Sequence, residues 1–201
     1  MSDVLVTAFA GIALALFVTE LTDKDALLLL TLATRTRAPR VFLAGATAFV
    51  FTTSVIVTVG TLAIRIIPIL WIKVAGGAVM LAFGLWETRT LVGERAIREQ
   101  EERLEKPRNG LRAFLMMVGA LALLDLAGDA TEVLTIVFVA QYSDSLLVFS
   151  AVCVGLIAAT AVETILGNRL GRILTPRKIR LLSIIVFLSL GSFILVTSLG
   201  R

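Results

Sequence analysis

Apolar runs separated by short polar stretches extend through the chain, and their lengths predict six helical spans near 4–34, 41–64, 67–91, 112–141, 145–168 and 179–199. Two of these runs are interrupted by charge near their middles. Residues 4–33 are apolar except around Glu20-Leu21-Thr22-Asp23-Lys24-Asp25. A helix over that run would be roughly 45 Å long against a bilayer core of about 30 Å, so the charges fall near mid-membrane. Residues 113–140 repeat the pattern, with Asp125, Asp129 and Glu132 at the centre. An ionisable side chain at that depth costs about 2.5 to 3.5 kcal/mol on the most lenient scale, so such acids face a partner, a cavity or an ion.

Composition confirms the class. Of the 201 residues, 58% are hydrophobic and 17% charged, and the mean hydropathy is +0.96. A soluble domain of this size cannot bury so much apolar surface, so the expected fold class is an all-α, multi-pass integral membrane protein. The net charge of +4 is carried by basic residues in short loops, which is a topology signal and excludes a nucleic-acid partner. The single cysteine, Cys153, excludes an internal disulfide and a thiol relay. The N-terminal run has Asp3 where a signal peptide needs a basic region, so it reads as a retained first helix.

Arg35, Arg37 and Arg40 follow the first span, residues 93–110 are densely charged, and Arg169, Arg172, Arg177, Lys178 and Arg180 follow the fifth. The positive-inside rule then places both termini outside and the central loop in the cytoplasm. Within 93–110, the i,i+4 pairs Glu94/Arg98, Glu99/Arg103 and Glu102/Lys106 suggest a short solvated helix. Three spans lie on either side, and an odd number per half makes the halves antiparallel. The expected organisation is therefore six transmembrane helices in two inverted three-helix repeats, 1–92 and 111–201, joined by the cytoplasmic linker 93–110. Each half opens with an acid-interrupted helix and ends with a glycine-containing one, Gly76-Gly77 with Gly84 in the first and Gly191 in the second. Those glycines are explained by close helix packing and need no ligand.

On continuous helices, Glu20 and Asp23 share a face, Lys24 reaches back to Glu20, and Asp125, Asp129 and Glu132 form one acidic stripe. With Asp25 and Glu163 added, seven intramembrane acids face one central base, Lys24. Such a set needs protons or metal ions for neutrality. Oxygen donors without any histidine select Mg²⁺, Ca²⁺ or Mn²⁺, and the hydroxyls of Thr19, Thr22 and Thr131 offer neutral ligands. One cluster alone is also explained by a Glu20–Lys24 pair with Asp25 snorkelling to the surface. Recurrence in both halves favours a shared midplane site.

The two clusters resemble the twin signatures Glu-x-Gly-Asp-(Lys/Arg)-(Ser/Thr) of the small Ca²⁺/Mn²⁺ antiporter family of Golgi, plastid and prokaryotic membranes, within the lysine-exporter superfamily. Glu20-Leu-Thr-Asp23-Lys24-Asp25 matches the first, with Thr22 for Gly and Asp25 for Ser/Thr. Leu126-Ala-Gly128-Asp129-Ala130-Thr131-Glu132 matches the second at Gly, Asp and Thr, with Leu126 for the acid and Ala130 for the base. Asp125, one residue earlier, stands ready to replace the missing carboxylate. The resemblance implies export of a divalent cation, Mn²⁺ or Ca²⁺, in exchange for protons. The expected ligands are Glu20, Asp23, Asp125, Asp129 and Glu132, with Lys24, Asp25, Thr131 and Glu163 accessory or proton-coupling. The cation is cargo, and no resident cofactor is expected. The rival is an exporter of another solute, a heavy metal or an amino acid, on the same fold. An enzyme is disfavoured by the lack of any nucleophile–base pair. The host membrane is the plasma membrane if the source is prokaryotic, and the oligomeric state, a homo-oligomer included, is left open.

Overall fold

The computed structural model describes residues 2–22, 26, 29–30, 32–33, 36–90, 110–126, 130–142, 144–173 and 176–199. Within them the chain is all helical: α1 (Ser2–Leu21), α2 (Ala38–Ile66), α3 (Ile69–Thr90), α4 (Leu111–Asp125), α5 (Ala130–Tyr142), α6 (Ser145–Ile173) and α7 (Pro176–Leu199). Four helical stretches are long and apolar enough to cross a membrane, Asp3–Leu21, Ala38–Ile66, Ile69–Trp86 and Ser145–Ile165. Shorter apolar helices are Leu111–Leu123, Ala130–Tyr142 and Ile184–Leu199. The linker at 93–110, with its predicted ion pairs, lies outside the described residues apart from Gly110.

The two acid-bearing spans are not the continuous helices that hydropathy suggests. α1 stops at Leu21, where Thr22 turns back so that both its N–H and its hydroxyl donate to the Thr19 carbonyl, at 3.1 and 2.8 Å. Helical backbone recurs at Ala26, Leu29–Leu30 and Leu32–Ala33. In the second half α4 ends at Asp125 and α5 begins at Ala130. At 15 and 13 residues, neither reaches the roughly 30 Å of a bilayer core alone. Local hydroxyl-to-backbone bonds such as that of Thr22 compete with helix continuation, and a broken backbone survives at membrane depth only inside protein. Thr19, Glu20, Thr22, Asp125, Ala130 and Thr131 are all buried.

α2 and α6, 29 residues each, form the centre. On α2 the buried positions Val41, Ala44, Gly45, Ala48, Phe49, Thr52, Thr53, Val57 and Gly60 recur at helical spacing as one stripe. The two helices run antiparallel: Gly45 packs on Thr160, Thr53 hydrogen-bonds Cys153, and the Thr61 and Ser145 hydroxyls meet at 2.7 Å. α2 also packs on α4 and α5, while α6 packs on α1 and α5. α3 and α7 pair antiparallel, with Gly77 against Leu195 and Gly191, and Gly84 against Leu188. At that crossing a Cβ on Gly191 would lie 3.0 Å from the Gly77 carbonyl oxygen, so only glycine allows this approach. α3 is joined to α5 by Gly76 against Val133 and Val137, and by a Lys73–Gln141 hydrogen bond.

Polarity is arranged inside out. Leu14, Phe51, Trp71, Trp86, Leu123, Leu146, Ile165 and Phe193 are exposed, whereas Glu20, Asp125, Glu163 and a set of threonines are buried. That distribution suits a surface solvated by lipid around a polar interior.

Candidate functional site

The break between α4 and α5 sits against α2. A cleft of about 10 Å³ opens there, lined by Thr52, Thr53 and Ile56 of α2, Asp125 of α4, Thr131, Glu132 and Thr135 of α5, and Leu156 of α6. It holds one water-sized body. Asp125 is the last residue of α4, where the helix dipole adds partial negative charge and draws a cation. Glu132 lies in the first turn of α5, where the partial positive end of the helix attracts its carboxylate. Two half-helices thus present opposite poles to one small volume, as in broken-helix ion sites.

Four threonines, Thr52, Thr53, Thr131 and Thr135, line the cleft beside the carboxylates. Thr52 donates to the Phe49 carbonyl at 3.2 Å and Thr135 to the Thr131 carbonyl at 2.7 Å. Thr131 is 2% exposed, and its hydroxyl oxygen has no hydrogen-bond partner among the described residues.

Of the predicted residues, the structure therefore brings Asp125, Thr131 and Glu132 together. They are not one stripe on a continuous helix, because the helix is interrupted between them. Glu20 is fully buried at the end of α1, which packs against α5 and α6, and it does not line this cleft. Glu163 is 1% exposed on α6. The neighbouring Thr160 and Thr164 donate to the Leu156 and Thr160 carbonyls, at 2.8 and 2.7 Å. Asp23, Lys24, Asp25 and Asp129 lie outside the described residues. Among the described residues no group of three or more acids or cysteines is gathered closely enough to hold a metal alone, and the oxygens that the described residues place beside Asp125 and Glu132 are threonine hydroxyls.

Thr52, Thr53 and Thr135 are absent from the sequence-derived candidate set. Their signal is nonetheless present: Thr52-Thr53-Ser54 is a run of hydroxyls in the middle of an apolar span. Threonine in a membrane helix satisfies itself by bonding its own backbone, so such a run carries no cost that demands attention. Lys73, a half-buried base near the start of α3, is likewise absent from that set; it donates to Gln141 at the end of α5.

Comparison with curated proteins and with solved structures finds no match. A protein-family model, that of the divalent cation/proton antiporter GDT1, matches residues 8–94 and 113–201. The two matched segments contain both acidic clusters and omit most of the charged stretch between them. They cover well over half of the chain, which therefore belongs to the GDT1 family of divalent cation/proton antiporters.

Proposed function

We propose that this integral membrane protein exports Mn²⁺ or Ca²⁺ from the cytoplasm in exchange for protons, using two inverted three-helix repeats, 1–92 and 111–201, joined by a cytoplasmic linker at 93–110. The observation that carries the reading is the cleft at the α4–α5 break, where Asp125 and Glu132 meet buried hydroxyls at the junction of opposed helix ends. The inverted arrangement is supported by helix directions. The counterparts α2 and α6 are antiparallel, as are α3 and α7, and Thr52 and Thr53 beside Thr131 at one level with Gly60 against Ile136 and Val139 at another make α2 parallel to α5. The breaks after Leu21 and Asp125 occupy equivalent places in the two halves.

In this mechanism Asp125, Asp129 and Glu132 bind the cation from the second half, and Glu20 and Asp23 bind it from the first. More carboxylates are present than one divalent ion neutralises, so departure of the metal leaves acids that take up protons. That exchange couples the two fluxes. Lys24 supplies a tethered cation for the empty state, while Asp25 and Glu163 act as accessory or proton-relay groups. Rocking of one half against the other alternates access to the site.

The test is metal flux in proteoliposomes with an imposed pH gradient. Uphill Mn²⁺ or Ca²⁺ movement accompanied by opposite proton movement, and slowed when the gradient is collapsed, is expected. Flux indifferent to the gradient refutes exchange, and transport of an amino acid with no response to divalent ions refutes the choice of cargo.

A further inference from the structure

The Thr52-Thr53 pair of α2 belongs to neither acidic segment, yet it forms one wall of the cleft opposite Asp125 and Glu132. A hydroxyl has one proton and two lone pairs. The Thr52 proton is committed to the Phe49 carbonyl and the Thr135 proton to the Thr131 carbonyl, so both oxygens keep only lone pairs to offer. The Thr131 oxygen is buried in the same cleft with no hydrogen-bond partner among the described residues. The Thr52 and Thr135 oxygens are suited to accept a cation and ill suited to donate to an anion, and the Thr131 hydroxyl has lone pairs to turn toward the same ion.

Resting on the divalent-cation reading above, we propose that Thr52, with Thr53 and Thr135, supplies neutral oxygen ligands that replace the ion's hydration water and so discriminate against Mg²⁺. Room around the ion makes the difference. The cleft measures about 10 Å³, space for a single water-sized body. The cleft is open on one side, so an ion held there exchanges the part of its water that faces the wall for protein oxygens. Mg²⁺ surrenders water reluctantly and demands a tight octahedron at about 2.0 to 2.1 Å, whereas Ca²⁺ accepts irregular oxygen shells at about 2.3 to 2.6 Å. Hydroxyls fixed on packed helices substitute for water around an ion that dehydrates readily, and they cannot contract to the small octahedron of Mg²⁺. The acids supply attraction for any divalent ion, and the α2 hydroxyls supply the distinction.

Calorimetric titration of the purified full-length protein with MnCl₂, CaCl₂ and MgCl₂ tests this. Thr52→Val keeps shape and removes the oxygen. It is expected to weaken Mn²⁺ and Ca²⁺ binding about tenfold while Mg²⁺ binding changes less, so that the preference over Mg²⁺ narrows, and Thr52→Ser is expected to restore it. Thr135→Val, on a different helix, is expected to narrow the preference in the same direction and stands in if Thr52→Val fails to fold. An unchanged preference in the folded valine variants overturns the assignment. A wild-type protein that binds none of the three ions overturns the cation reading itself.

Discussion

Replacement of Gly155 by alanine tests the closest backbone approach between α1 and α6. A Cβ built at Gly155 lies 2.5 Å from the Ala13 carbonyl oxygen, 3.1 Å from Leu16 Cβ and 3.2 Å from the Phe17 nitrogen. Ordinary carbon–oxygen contact begins near 3.3 Å, so α1 must withdraw by about 0.8 Å. What it meets is main chain, which cannot swing aside as a side chain would. Overpacking of this kind costs about 1 to 3 kcal/mol, a factor of roughly 5 to 150 in any equilibrium that depends on the contact. Gly11, on α1, has no heavy atom of a neighbouring element within 4 Å of its would-be Cβ. Alanine there is expected to gain up to about 1 kcal/mol of helix propensity. The assay is thermal unfolding of the two variants in one detergent, with metal flux in liposomes alongside. Gly155→Ala should melt lower and transport more slowly, and Gly11→Ala should match or exceed the wild type. Equal melting of the two variants would refute the α1–α6 packing described above.

Further expectations concern charge and topology. Ala130 is 1% exposed beside the cleft, and Ala130→Lys should weaken Mn²⁺ and Ca²⁺ binding by roughly tenfold or more, because a nearby ammonium opposes a cation in a medium of low dielectric; calorimetry showing normal affinity in the folded variant would remove position 130 from the site. A cysteine at position 101 in a Cys153→Ser background should react with impermeant reagents only from the cytoplasmic face, and reaction from outside would reverse the direction of export.

The membrane class and the two acid-bearing segments are legible because hydropathy and intramembrane charge are local properties of the sequence. Asp125 and Glu132 stand out there by acid type, by helical spacing and by the family resemblance, and Thr131 as a nearby hydroxyl. The helix breaks were less accessible, since residues 113–140 keep an apolar helical pattern through the interruption. A turn such as that of Thr22 is stabilised by what surrounds it as much as by its own residues. The helices also separate Asp125, which ends α4 and lines the cleft, from Glu163, which is buried on α6 and does not line it. The α2 threonines are visible in the sequence as a hydroxyl run, but their place in the cleft is not: it comes from the register of α2 against α4 and α5, a long-range property that leaves no periodic trace.

The α2–α6 pair acts as a beam crossed at its middle. Thr53 and Cys153 touch near the halfway point, with the Gly45–Thr160 and Thr61–Ser145 contacts about eight residues to either side, roughly 12 Å along the helix. For a tilt about that level the central contact hardly moves, while the two ends travel in opposite senses by about 2 Å for every 10°. If the two halves rock as proposed, the cleft wall at Thr52 and Thr53 lies at this fulcrum, and an ion held there would stay nearly stationary while the gaps above and below it exchange widths.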